Sequence, residues 1–189
     1  MQITDFTFTN PAFTTIGANL YRFTQDCDIC VNLPAGKGYK FTLLKGFVTN
    51  FRSGPDIINS VIPKFGDQDL TLSYAVHDAL YTRAGSTLKT AKHMATKKFA
   101  DELLREMLKE CDRCTKAQIK QLEMDKKANS LEYREPFNER IKFLKGQILG
   151  SVKIWAIFQV VDKFGGKAFN EAEVYPYDEN FDKIRMEVL

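Results

Sequence analysis

Apolar and polar residues alternate through the first third of the chain, at Phe6-Thr7-Phe8, Tyr21/Phe23, Ile29/Val31/Leu33 and Tyr39/Phe41/Leu43. A period of two sends successive side chains to opposite faces, so these runs predict strands with one buried side. Pro34-Ala35-Gly36 and the glycines at 38 and 46 punctuate them as turns. Residues 1–55 therefore read as a small, twisted antiparallel sheet.

From Asp67 the period becomes helical. Asp67 or Asp69 can cap a helix through Tyr74, His77 and Tyr81 that ends near Gly85. Ser86 or Thr87 can cap the next, with Phe99, Leu103, Met107 and Cys111 on one stripe. Residues 112–147 carry nine basic and six acidic side chains over a thin apolar seam of Ile119, Leu122, Leu131, Phe137, Ile141 and Leu144. That balance predicts an inserted, charged helical arm, broken near Glu135-Pro136 because proline lacks a backbone donor. A solvated hairpin and a partner-docking arm both fit it. Val152–Phe164 is apolar nearly all round and reads as the central buried helix, ended by Gly165-Gly166. An aromatic, acidic tail with Tyr175, Tyr177 and Phe181 follows.

The expected fold class is α+β in a single domain, 1–189. A sheet (1–55) precedes core helices (67–111 and 150–165), and the charged arm (112–147) is inserted between them. Hydrophobic residues at 44% and charged residues at 27% of 189 are globular proportions. A net charge of +3 gives no basis for specific nucleic-acid binding. The start, MQITDFTFTN, lacks the basic and apolar stretches of a signal peptide. No apolar run reaches the ~18 residues of a transmembrane segment. Synthesis and folding in a cytoplasm are expected.

Only two histidines, His77 and His93, are present. On a helix His77 and Tyr81 share a face, while Asp78 points about 100° from His77. Asp101 shares a stripe with Leu104 and Leu108 on the next helix, at the edge of the apolar face, so its charge needs a partner. If the two helices pack antiparallel, His77 is that partner. The pair would set the imidazole tautomer and leave the other ring nitrogen to accept a proton from water. A helix-packing histidine satisfied by Asp101 uses the same contact without catalysis.

Three segments, Gly46-Phe47-Val48-Thr49-Asn50-Phe51-Arg52-Ser53-Gly54-Pro55, His77-Asp78-Ala79-Leu80-Tyr81 and Ala100-Asp101, together resemble an uncharacterised bacteriophage protein family. That family has a Gly-Phe-x-Thr-Asp-x-x-Ser-x-Pro loop, a His-Asp-x-x-Tyr helix, an Ala-Asp helix and a late helix like Ala156–Phe164 with its two glycines. The resemblance spans roughly residues 20–110 and 150–170 and leaves the arm as an insertion. It implies a polar cluster of Thr49, Asn50, Ser53, His77, Asp78, Tyr81 and Asp101. Asn50 stands where the family has an acid, and Arg52 where it has a small residue, which implies a degenerate site. The His-Asp-x-x-Tyr helix and helical Asp are also similar to the helix pair of secreted phospholipases A2. That similarity implies a water-activating dyad of His77 and Asp101, with Tyr81 alongside and Asp78 on calcium. The glycine-rich calcium loop and flanking disulfides of those enzymes are missing. Phosphohydrolases built on a metal-binding His-Asp pair need an upstream histidine, and none precedes His77.

Cys27/Cys30 and Cys111/Cys114 have the spacing of half zinc sites, with 80 residues between the pairs. Four reduced cysteines acting as small apolar residues are the first expectation. Neither pair opens a helix after a strand as a thioredoxin-like centre does. Pro34-Ala35-Gly36-Lys37-Gly38 lacks the P-loop's spacing. Lys89, Lys92, Lys97 and Lys98 read as a solvated basic face.

The expected function is a phage virion-associated structural or assembly protein of the tail or neck, carrying a hydrolase-like but degenerate His-Asp site. Its partners would be other phage structural proteins or further copies of itself, and it would pass from the host cytoplasm into the virion. No cofactor is the first expectation, with zinc or calcium the alternatives. The competing function is an envelope-directed hydrolase of peptidoglycan or phospholipid, using His77, Asp101 and Tyr81, with Thr49, Asn50, Ser53 and Asp78 at the substrate.

Overall fold

A computed structural model describes residues 1–9, 11–17, 20–50, 68–81, 96–129, 134–170 and 184–189. Ser53, His93, Leu131, Tyr175, Tyr177, Phe181 and the expected caps at Asp67, Ser86 and Thr87 lie outside the described residues. The alternating first third forms six strands: β1 (Asp5–Phe8), β2 (Phe13–Gly17), β3 (Leu20–Phe23), β4 (Cys27–Asn32), β5 (Gly38–Leu43) and β6 (Val48–Thr49). Among the described residues four helices follow, α1 (Gln68–Tyr81), α2 (Lys97–Ala128), α3 (Arg134–Gln147) and α4 (Gly150–Asn170), and then β7 (Ile184–Val188). The fold is α+β, as the patterning implies.

The described strands make two antiparallel sheets rather than one. The larger has the order β1-β4-β5-β7 and the smaller β2-β3-β6. Strand β7, at the end of the aromatic, acidic tail, closes one edge of the larger sheet by pairing Leu43 with Ile184 and Tyr39 with Val188. In β4 the alternation is strict: Cys27, Ile29 and Val31 are buried and the residues between them are not. Pro34–Gly36 forms a 3-10 turn in which Ala35 and Gly36 both adopt positive φ, so that β4 can reverse into β5.

The central buried helix is α1, not α4. Leu70, Leu72, Ser73, Tyr74, Ala75, Val76, His77, Ala79 and Leu80 are all buried, and Thr71, Asp78 and Tyr81 are half-buried on one face. The helix lies against α2, β5 and β6. By contrast α4 buries Ile154, Ile157 and Val161 on one face and exposes Val152, Trp155 and Phe164 by 78%, 62% and 64%. An apolar composition all round concealed a helix covered on one side only. Nor do Gly165 and Gly166 end it, since α4 continues to Asn170.

Residue 112 is no boundary either. Thr96 caps α2 by accepting a hydrogen bond from the Phe99 amide at 3.1 Å, and the helix runs unbroken from Lys97 through Cys111 to Ala128. Its distal half is one leg of the charged arm, and α3 is the other. The second leg starts at Arg134, and Pro136 lies in its first turn, where backbone amides need no helical acceptor. The seam is real: Ile119, Ile141 and Leu144 are buried together, with Leu122 and Ile148 against them. Asp112 secures the base of this hairpin. Its two carboxylate oxygens accept the Leu149 and Gly150 amides at 2.8 and 2.7 Å, capping α4 from α2.

Candidate active site

Tyr74, His77, Asp78 and Tyr81 fall within a stripe roughly 100° wide on α1. The remaining faces carry Leu72, Val76, Ala79 and Leu80, which belong to the core. Helix α2 runs antiparallel to α1, so Ser73 lies near Cys111 (3.6 Å) while Tyr81 lies near Asp101. This is the arrangement that the expected His77–Asp101 pairing requires. His77 Nε2 is 3.1 Å from Asp101 Oδ1, and the two residues are 3% and 1% exposed.

Asp101 gathers three partners. Oδ1 also accepts the Tyr81 hydroxyl at 2.5 Å, and Oδ2 accepts Lys97 Nζ at 2.7 Å. Lys97 further donates to the Asp162 carbonyl oxygen of α4 at 2.7 Å, with Asp162 Oδ1 at 3.8 Å. The His77 and Tyr81 rings pack at 4.2 Å between centroids. On the β6 side, the Thr49 hydroxyl donates to Asp78 Oδ2 at 2.6 Å. Thr49 is buried; Asn50 and Asp78 are half-buried.

The protonation states follow from these contacts. Burial raises the Asp101 carboxyl, but hydrogen bonds from His77, Lys97 and Tyr81 outweigh it and hold the group below the ordinary carboxylate range. Burial pushes His77 below its ordinary range, Lys97 adds to that, and the Asp101 contact opposes both. A neutral imidazole beside an ionised carboxylate must donate from the nitrogen that touches it, because the carboxylate only accepts. His77 therefore carries its proton on Nε2 and its basic lone pair on Nδ1.

Gly165 of α4 closes the site from the third helix. A Cβ built there would lie 2.5 Å from the Tyr81 hydroxyl and 3.1 Å from its ring, so only glycine lets α4 approach this closely. The Tyr74 hydroxyl, also buried, has no hydrogen-bond partner among the described residues.

None of the four cysteines is in a disulfide bond. Cys27 faces the core and Cys30 the opposite side of β4, so the two cannot point at one metal. Burial pushes the Cys27 thiol up to about 11. Cys111 is buried beside Ser73, while Cys114 lies 3.3 Å from Glu110. Among the described residues no group of three or more His, Cys, Asp and Glu is placed to hold a metal ion.

The model of a protein family described as a protein of unknown function (DUF1353) matches residues 25–120, just over half of the chain. The chain belongs to that family. No curated protein and no solved structure matches it. The matched segment of this DUF1353 protein holds Thr49, His77, Asp78, Tyr81, Lys97 and Asp101, whereas Asp162 and Gly165 come from α4 beyond it.

Three contributors were not singled out for the site from sequence. Lys97 read as part of a solvated face, although its position four residues before Asp101 was the available signal. Gly165 read as a helix terminator. Asp112 read as one charge of the arm, and nothing in its neighbourhood points to an amide pair 37 residues away.

Proposed function

We propose that this DUF1353 protein is a hydrolase in which His77 is the general base and Asp101 orients it. The observation that carries this reading is the 3.1 Å contact from His77 Nε2 to a buried carboxylate held at both oxygens. In the step that this arrangement favours, Nδ1 takes a proton from water as its oxygen attacks an acyl carbon. Asp101 stabilises the imidazolium that forms, and the same proton then passes to the leaving alcohol or amine. The similarity to the phospholipase helix pair, and the resemblance to phage proteins, point to phospholipid or peptidoglycan of the bacterial envelope as substrate. That order reverses the preference drawn from sequence, where Asn50 argued for degeneracy. The dyad uses Asp101 rather than a loop acid, so Asn50 does not disable it.

Calcium wants six to eight oxygen ligands. The described residues offer the Asp78 carboxylate with Thr49 already on it, and this set does not fit the ion. No step is assigned to a metal. Thr49, Asn50 and Asp78 are read instead as substrate-side groups.

The test compares wild type with His77→Asn on phosphatidylglycerol vesicles and on peptidoglycan sacculi, with thermal unfolding run on both proteins. Product release by wild type, abolished in a variant that still folds, supports the reading. Inactivity of folded wild type on both substrates, with and without added calcium, contradicts it.

A second reading has its own support. Met124, Phe143, Val152, Trp155 and Phe164 are large apolar side chains left exposed on the hairpin and α4. Such surfaces mark contacts with other proteins, which favours a virion component of the tail or neck, bound to phage structural proteins or to further copies. Mass spectrometry of purified virions tests it. A fixed copy number per particle supports the structural role, and absence from the particle removes it.

A further inference from the structure

Lys97 and Lys98 open α2 with no acidic residue in its first turn. Cations there oppose the helix macrodipole and cost stability. Lys98 is exposed, but Lys97 turns inward and is only 20% exposed. Its ammonium group touches Asp101 Oδ2, the Asp162 carbonyl and the Asp162 carboxylate, on two helices at once. A lysine kept in an unfavourable helical position and held by three oxygens is there for what it holds.

We infer that Lys97 is a positioning residue for His77, acting through Asp101. The inference rests on the reading of His77 as a general base. Lys97 does so in two ways. It occupies Oδ2, so Oδ1 is the oxygen presented to His77 Nε2, with the Tyr81 hydroxyl on that same oxygen fixing the carboxylate's rotation. It also supplies the positive charge that balances Asp101, so the buried dyad is neutral at rest without protonating the imidazole. Among the described residues, the charged and titratable groups around the dyad are Lys97 and Asp101 from α2, Tyr81 and Asp78 from α1, and Asp162 from α4. Among these Lys97 is the cation. By bridging to Asp162 it also ties the dyad to the helix whose Gly165 packs on Tyr81, so the three helices share one clamp.

The chemistry predicts a split between rate and binding. Lys97→Met keeps the length and apolar stem of the side chain and removes its charge and donors. On the vesicles or sacculi that wild type hydrolyses, kcat should fall about 100-fold, the scale of a misoriented catalytic group, with KM unchanged. Lys97→Arg, which restores the cation, should recover most of that loss. Ring ¹⁵N shifts of His77 provide a readout independent of turnover. Wild type should show the neutral form with hydrogen on Nε2, and Lys97→Met should lose that single form while remaining folded. Wild-type kcat in Lys97→Met, or unchanged His77 ring shifts, overturns the inference. Inactive wild type with ring shifts that respond to Lys97 sinks the hydrolase reading while upholding the positioning role.

Discussion

The helix junction around His77 and the α2–α3 hairpin are both rich in charge, yet charge does opposite things in them. At the junction, Asp101 is 1% exposed; His77 and Tyr81 reach it from α1, and Lys97, one turn back on α2, carries the contact on to Asp162 of α4. In the hairpin, Lys145 and Glu123 meet at 3.5 Å with side chains 59% and 50% exposed, and Gln121 bonds Asp125 along its own helix. The first set is shielded from water and each loss leaves an uncompensated group. The second is screened, and water replaces whatever is removed. The hairpin depends on a small core of Ile119, Ile141 and Leu144, joined to the body at Asp112.

The largest expected effect is Asp101→Ala. It strands Lys97 beside the Asp162 carbonyl and leaves His77 and Tyr81 without their shared acceptor. Loss of a buried charge partner of this kind costs about 3–5 kcal/mol, and chemical denaturation should register it. A smaller cost would mean that water reaches the site.

Next is Gly165→Ala. The added Cβ cannot coexist with the Tyr81 hydroxyl at 2.5 Å, so either α4 or Tyr81 must move, at about 1–3 kcal/mol. Gly166→Ala makes the control, because nothing lies within 4 Å of a Cβ there. Equal behaviour of the two variants would remove the close approach from the account.

Acid should weaken the junction before it weakens the hairpin. His77 is held below its ordinary value of 6.5 in the folded state. The unfolded chain therefore binds a proton that folded His77 refuses, and stability falls as pH drops below 6.5. Asp101, held below 3.8, adds a second loss at lower pH. His77→Gln should flatten the upper part of that dependence in thermal melts, and an unchanged slope would contradict the burial of a neutral imidazole. The smallest effect is Lys145→Ala, expected to change stability by less than about 0.5 kcal/mol.

Much of this contrast was legible in the chain. Strict alternation at Ile29/Val31 and Phe41/Leu43 identified paired strands because a half-buried sheet enforces a period of two. The His77–Asp101 pairing followed from one helical histidine and one carboxylate beside an apolar stripe, groups that each need the other. What sequence concealed was context. Val152, Trp155 and Phe164 look like core residues, and only the position of α4 leaves them outside. Lys97 looks solvated because periodicity describes a Cα position and not where a flexible four-carbon side chain ends. Strand β7 was missed because its partner β5 lies more than a hundred residues away, beyond any local pattern.

On these contacts His77 stands neutral in the core, with its proton directed to Asp101. Histidine-labelled protein at neutral pH, observed through the ring ¹⁵N shifts, tests this directly, with His77→Gln assigning the signal between the two histidines. The predicted spectrum has a protonated Nε2 and an unprotonated Nδ1. A fully protonated ring, or hydrogen on Nδ1 alone, would contradict it.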